Sequence, residues 1–275
     1  MLTNIGAALA AATLLASDTG RTRSGLWYSV TGAGPTVMFL HGSNLDSRAW
    51  GPLPAALAAD HRVILTDLRS HGRSLDATGP FSWVDDAVEV LDAVGATRAA
   101  LIGHSLGAQI VIDLSLSHPE RVTSLVVIGP AISGRPLTKP PAGFEGMVAA
   151  LRRGDFAAAG EALAAMPVMT LYRDTAGQAE IRAIVKENVR LFRADRTWVK
   201  GLDPPAAGRL GELKIPVAIL LGSADPTESN EAGQVLQAQV PRATSTVLPR
   251  CGHLVPVDCG PEASRAVRAF LARTP

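Results

Sequence analysis

The stretch AALIGHSLG, residues 99–107, decides the fold of this chain. Its first four residues are apolar and predict a short buried strand. Two glycines then bracket Ser105 in the pattern Gly-x-Ser-x-Gly, and residues 106–117 carry apolar side chains at helical spacing. A strand, a tight glycine turn and a helix in this order lift a serine hydroxyl above the edge of a sheet. We therefore predict that Ser105 is a catalytic nucleophile.

Short apolar runs alternate with longer helical patterns on both sides of this stretch, which is typical of a mostly parallel sheet with crossover helices. The predicted strands are residues 26–31, 36–40, 62–66, 99–102, 124–128, 217–221 and 243–248. Three helices are predicted between or after them, at residues 82–94, 106–117 and 261–272. The pattern indicates an α/β fold.

The region between the strands at 124–128 and 217–221 has a different pattern. It begins with several prolines and continues with helical spacing near residues 144–153, 155–166 and 178–193. Because an insertion between two strands cannot easily join the sheet, we predict a helical lid over one edge. The predicted organisation is an N-terminal segment at 1–20, a core formed by 21–133 and 211–275, and a lid at 134–210.

A serine hydroxyl is a poor nucleophile unless a base lies within hydrogen-bond reach. His253 lies in the loop after the last predicted strand, and chemistry in α/β sheets collects at the carboxyl ends of strands. Asp225 follows the strand at 217–221 after a short turn, so we predict that it orients His253 and stabilises the imidazolium. Glu228 is the alternative acid. The chain order Ser105, Asp225, His253 is the order that accompanies a serine elbow.

An acyl-transfer site also needs two N–H groups that bind the oxyanion. The Leu106 N–H follows the nucleophile, and we predict the second donor, the Ser43 N–H, in the loop after the strand at 36–40. Most large apolar residues of the lid will pack it onto the core, and a few will line an apolar pocket. The predicted pocket residues are Asn44, Phe144, Met147, Met169 and Trp198.

Together these residues resemble the α/β-hydrolase family, and the matches extend from about residue 26 to the C-terminus. They are, in chain order, residues 32–35, His41-Gly42, residues 67–74, residues 103–107, Asp225 and His253. The resemblance implies eight mostly parallel strands, a helical cap after the sixth strand and no cofactor or metal. Within the family the chain is similar to the esterase, enol-lactonase and cofactor-free haloperoxidase group. Its serine nucleophile separates it from dehalogenases and epoxide hydrolases, whose nucleophile is aspartate.

Several functions remain open within this resemblance. We predict a hydrolase of small to medium carboxylic esters that works through an acyl-enzyme, with lactonase or perhydrolase activity as an alternative. Carbon–carbon bond hydrolases share the serine, aspartate and histidine set, but they usually carry a longer glycine-rich oxyanion loop than residues 43–46 provide. An alternative of another class is a weakly catalytic ligand-binding receptor on the same fold.

Composition narrows the partners to a small-molecule substrate. The chain has 275 residues and a formal net charge of +1, with no basic run that favours nucleic acid. The apolar stretch at residues 5–16 is too short to span a bilayer, and no basic residue precedes it. We therefore expect a cytoplasmic protein without stable membrane insertion, with secretion as the alternative. The spacing of Cys251 and Cys259 fits no metal motif, and we expect two reduced thiols rather than a disulfide.

Overall fold

The computed structural model describes residues 17–136, 139–170 and 174–274. Most of the predicted N-terminal segment, residues 1–16, lies outside this part. The remaining residues of that segment differ from the prediction, because Ser17–Arg21 forms the first strand of the sheet. The sheet therefore begins before residue 21.

The sheet has eight strands and confirms the predicted α/β fold. They are β1 (Ser17–Arg21), β2 (Trp27–Thr31), β3 (Thr36–Leu40), β4 (Arg62–Thr66), β5 (Ala99–His104), β6 (Val122–Ile128), β7 (Val217–Gly222) and β8 (Ala243–Leu248). Their order is β1-β2-β4-β3-β5-β6-β7-β8. β2 runs antiparallel to both of its neighbours, whereas all pairs from β4 to β8 are parallel.

Helices cover both faces of this sheet, which is why its central strands are continuous apolar runs. The helices are α1 (Leu53–Leu57), α2 (Trp83–Ala93), α3 (Leu106–Ser117), α4 (Phe144–Arg152), α5 (Phe156–Ala164), α6 (Pro167–Thr170), α7 (Thr175–Glu187), α8 (Thr227–Gln239), α9 (Val255–Asp258) and α10 (Gly260–Leu271). One apolar layer joins the sheet to α2, α3 and α8, and a second joins the other face to α1 and α10. All six residues of β5 are buried between them.

The insertion after the sixth strand, β6, contains α4 to α7. These helices share their own apolar cluster, which also includes Leu45 and Leu254 from the sheet domain. The lid therefore packs against the loops at the carboxyl edge of the sheet. Ala206 and Leu210 are fully buried in the main core, so the chain returns to the sheet domain before the expected boundary at residue 210.

None of the helices in the described ranges is long and apolar enough to cross a lipid bilayer.

Candidate active site

Ser105 lies at the sharp turn between β5 and α3. Its backbone φ is 52°, in the left-handed region, and its N–H donates to the Ile128 carbonyl at 3.0 Å. Strained backbone of this kind persists only where the surroundings enforce it. The first N–H groups of a helix have no partner within it, so the Leu106 N–H at the start of α3 is a helix-terminal donor that directly follows the serine.

The two glycines of the turn are required by close approach of neighbouring backbone. A Cβ atom on Gly103 would lie 2.3 Å from the Gly107 carbonyl oxygen, and one on Gly107 would lie 1.8 Å from the Leu40 carbonyl oxygen. Neither position can accept a larger residue without moving a strand or the helix. The pattern Gly-x-Ser-x-Gly is therefore a packing requirement of the turn that presents Ser105.

His253 and Asp225 form a buried pair at the carboxyl edge of the sheet. The His253 Nδ1 atom lies 2.6 Å from Asp225 Oδ1, and the second carboxylate oxygen accepts the Gly222 N–H at 2.7 Å. An Nδ1 proton held by Asp225 leaves Nε2 unprotonated and available as a base. The alternative acid, Glu228, makes no hydrogen bond or ion pair with His253 in the described part of the chain. The structure thus brings Asp225, not Glu228, to the histidine.

Gly129 and His104, which were not predicted as site residues, support the pair of His253 and Asp225. A Cβ atom on Gly129 would lie 2.8 Å from His253 Nδ1, so the space beside the ring needs glycine at a φ of 50°. His104 Nε2 lies 2.9 Å from the His253 carbonyl oxygen and fixes the backbone of the base. Burial lowers the pKa of His104 well below its ordinary value, so it stays neutral. The sequence did offer one signal for Gly129, because it directly follows β6 and functional residues collect at the carboxyl ends of parallel strands.

The loop that carries Ser43 is fixed by two buried neutral histidines. The Asn44 N–H donates to His71 Nε2 at 3.1 Å, and His71 Nδ1 lies 2.9 Å from the Arg69 carbonyl. His41 makes a parallel pair of contacts with the Leu68 N–H and the Gly42 carbonyl. Burial lowers the pKa of His71 to about 3, which keeps its Nε2 an acceptor.

Two cavities meet at Ser43. The larger, of about 390 Å³, is lined by Ser105, His253 and a mainly apolar wall that includes Ile132, Phe144 and Val168. The second, of about 310 Å³, is lined by apolar residues of the lid and the sheet domain: Phe81, Trp83, Leu106, Leu191, Phe192 and Val199. Two largely apolar spaces that share Ser43, one of them lined by the nucleophile, can hold the two halves of one substrate.

The structure brings only one of the predicted pocket residues to the cavity beside Ser105, namely Phe144. Met147 and Met169 pack within the apolar cluster of the lid, because those faces of the lid helices point towards one another. Asn44 is buried in the loop beneath Ser43, and Trp198 lies outside the lining of both cavities. The prediction that these four residues line the pocket is therefore not supported for the cavity beside Ser105.

The cysteines also differ from the expectation of two reduced thiols. Cys251 and Cys259 are joined as a disulfide, with Cα atoms 6.0 Å apart. This separation is one that a disulfide commonly spans. The bond closes the loop that carries His253.

Comparisons with known proteins identify the family of this chain. The description "Alpha/beta hydrolase family" belongs to the family model that matches residues 37–269. The chain is 32% identical over 265 residues to a 2-hydroxy-6-oxononadienedioate/2-hydroxy-6-oxononatrienedioate hydrolase of Burkholderia vietnamiensis, covering 90% of both chains. It is 31% identical over 255 residues to a 2-hydroxymuconate semialdehyde hydrolase of Pseudomonas sp. strain CF600, covering 88% of both.

Solved structures show the same fold. The esterase RhEst1 from Rhodococcus sp. ECU1013 is 25% identical, with a TM-score of 0.79 over 94% of this chain and 99% of that one. The enol-lactonase from Burkholderia xenovorans LB400 is 20% identical, with a TM-score of 0.75 over 93% of this chain and 100% of that one.

Proposed function

This chain belongs to the alpha/beta hydrolase family, and we propose that it is a serine hydrolase of small to medium carboxylic esters. The observation that carries the proposal is the 2.6 Å contact between His253 and Asp225, with His253 and Ser105 lining one cavity. A neutral imidazole oriented in this way activates a serine hydroxyl.

The proposed reaction is acyl transfer in two halves. Ser105 Oγ bonds to the ester carbonyl carbon while His253 Nε2 takes the hydroxyl proton, and the oxyanion binds the Ser43 and Leu106 N–H groups. Nε2 then protonates the leaving alcohol as the ester C–O bond breaks. Water attacks the acyl-enzyme, gives its proton to Nε2, and releases the acid as the proton returns to Ser105.

The charges that line the two cavities favour a neutral substrate. Among the described lining residues the carboxylates are Asp195, Glu228 and Glu231, whereas Arg135 is the single cation. Arg135 lies 3.9 Å from Glu231, and Glu228 Oε1 has no hydrogen-bond partner in the described part of the chain. Lys139 also lies 3.8 Å from Glu231, so the charge in the larger cavity that no described ion pair balances is that of Glu228. An anionic substrate would be repelled by this carboxylate in a partly apolar space.

A second candidate is hydrolysis of a carbon–carbon bond. It is supported by the two relatives at 31–32% identity, whose names specify a dienedioate and a muconate semialdehyde. A dicarboxylate needs cationic partners, and the described cavity lining offers Arg135 alone. For this reason we favour the ester. Lactone hydrolysis uses the same acyl-enzyme chemistry and remains an extension of the proposal.

The test is a matched pair of p-nitrophenyl esters of equal chain length, one with a neutral acyl chain and one ending in a carboxylate. We expect kcat/KM to favour the neutral ester about 10-fold or more, which corresponds to about 1.4 kcal/mol. The E228Q variant should narrow this ratio, because it removes one of the facing negative charges. Faster turnover of 2-hydroxymuconate semialdehyde than of either p-nitrophenyl ester would replace our proposal with the second candidate.

A ligand-binding receptor would behave differently again. It would retain the ester at the cavity, and it would show no burst of p-nitrophenol in the first turnover.

A further inference from the structure

A buried asparagine of the lid touches the loop that carries the proposed oxyanion donor. Asn188 directly follows α7 and is fully buried. Its Nδ2 group donates to Asp46 Oδ2 at 2.9 Å and to the Ile184 carbonyl at 2.8 Å. Its Oδ1 accepts the Gly72 N–H at 2.6 Å. Both Nδ2 protons and the Oδ1 oxygen are therefore used, and these three hydrogen bonds together fix the orientation of the Asn188 side chain.

The backbone of Asn188 extends this contact to the residue next to Ser43. Its carbonyl accepts the Asn44 Nδ2 group at 3.1 Å, and Asn44 Oδ1 in turn accepts the Ser43 hydroxyl at 3.1 Å. Asn44 has a φ of 56°, in the left-handed region that asparagine adopts more readily than most non-glycine residues. Since His71 binds its N–H from the sheet domain, Asn44 is held from both sides.

The negative charge of Asp46 determines which kind of group the lid can place against it. It caps the short helical turn Ser47–Trp50 by accepting the Arg48 N–H. Burial on its own would raise the pKa of Asp46, but hydrogen bonds from Arg48 and Asn188 outweigh it and lower the pKa to about 2. Asp46 is therefore a carboxylate at working pH, and only a donor can face it from the lid.

We propose that Asn188 is a positioning residue for the oxyanion hole, one that sets the Ser43–Asn44 turn when the lid is docked. Docking of the lid and assembly of the oxyanion hole are then one event. The inference rests on the proposed acyl-transfer function. Loss of one oxyanion donor costs about 100- to 1,000-fold in rate, and a displacement of about 1 Å costs about 100-fold.

A neighbouring lid residue provides the matched control. The Arg190 guanidinium donates to the Gly72 and Ser74 carbonyls at 2.6 and 2.8 Å and pairs with Asp76 at 2.6 Å. It attaches the same lid segment to the sheet domain, and its described hydrogen bonds and ion pair do not involve residues 43–46. R190Q therefore weakens lid docking, whereas N188A also releases the oxyanion loop.

The experiment measures kcat per active site, with sites counted by fluorophosphonate titration so that misfolded protein does not contribute. We expect N188A to lower kcat about 30- to 100-fold while KM stays within about threefold, and R190Q to keep kcat within about threefold. The affinity for a trifluoromethyl ketone, which places an oxyanion in the hole, should fall in parallel with kcat in N188A only. Unchanged kcat per site in N188A, or equal losses in R190Q, overturns the proposal.

A second variant keeps the test independent of how well N188A folds. N188D places a carboxylate against Asp46, and two close carboxylates share a proton more readily as the pH falls. The ratio of the N188D kcat to the wild-type kcat should therefore rise as the pH is lowered from about 8 to about 6. A ratio that stays constant over this range contradicts the inference.

The rate of fluorophosphonate labelling of Ser105 reports the same oxyanion hole without any turnover. A wild-type protein that is labelled but cleaves no ester would contradict the proposed function. The labelling rates of N188A and R190Q would then still decide whether Asn188 positions the loop.

Discussion

Replacing Asp113 with asparagine should stabilise this protein at alkaline pH. Asp113 lies on α3, the helix that follows the nucleophile, and is only 3% exposed. It accepts the Ser133 hydroxyl at 2.6 Å, and Ser133 Oγ accepts the Ala206 N–H at 2.9 Å. Burial raises the pKa of Asp113 from 3.8 to about 6, against the opposing effect of the Ser133 hydrogen bond.

The magnitude follows from this pKa. Because the folded state holds the Asp113 proton more tightly than the unfolded state, wild-type stability falls as the pH rises through the range from 3.8 to about 6. At about 1.4 kcal/mol for each pKa unit, the penalty reaches about 3 kcal/mol at about pH 8 and about half of that at about pH 5. Asparagine removes the charge and keeps an oxygen that can accept from Ser133.

Urea unfolding of wild type and D113N at the two pH values measures this difference. The variant should gain about 1.5 kcal/mol more relative to wild type at about pH 8 than at about pH 5. Any fixed cost of the buried amide N–H groups cancels in the comparison of the two pH values. The same difference in unfolding free energy at both would refute the reasoning.

Two further predictions concern the elbow and the base. D225N should lower kcat about 1,000- to 10,000-fold with little change in KM, because His253 loses the acceptor that holds its Nδ1 proton. Steady-state kinetics measures this loss, and a decrease in kcat of less than about tenfold would assign the orienting role to another residue. G107A should destabilise the fold by about 3 kcal/mol or more, since its Cβ would lie 1.8 Å from a backbone carbonyl oxygen. The control G208A has open space around the added Cβ and should leave the thermal unfolding midpoint nearly unchanged. Equal midpoints for the two variants would contradict the packing requirement at Gly107.

Much of the core could be predicted from sequence because its signals are local. β5 and β7 are buried on both faces, so they appear as continuous apolar runs followed by turn residues. Asp225 and His253 were predicted from their places after strands, and the structure brings the two side chains together. β1 was missed because its sequence SDTGR has neither an apolar run nor alternation, and it is defined only by its antiparallel pairing with β2.

The contacts that support the site could not be predicted, because they join distant parts of the chain. His104 and His253 are separated by 149 residues, and Asn44 and Asn188 by 144. The lid residues failed for another reason. Phe144 and Met147 are three residues apart on α4 and share one face, and both contact the lid cluster. The helical spacing therefore gives no indication that only Phe144, at the start of the helix, also lines the cavity beside Ser105.

The most direct test of the central proposal is the site at which a fluorophosphonate attaches. Mass spectrometry of the labelled wild-type protein should show one adduct for each chain, mapped to Ser105, and the S105A variant should show none. A p-nitrophenyl ester should release a burst of about one equivalent of p-nitrophenol from the same preparation. An unlabelled Ser105 in folded protein, or S105A with near-normal ester turnover, would contradict the account.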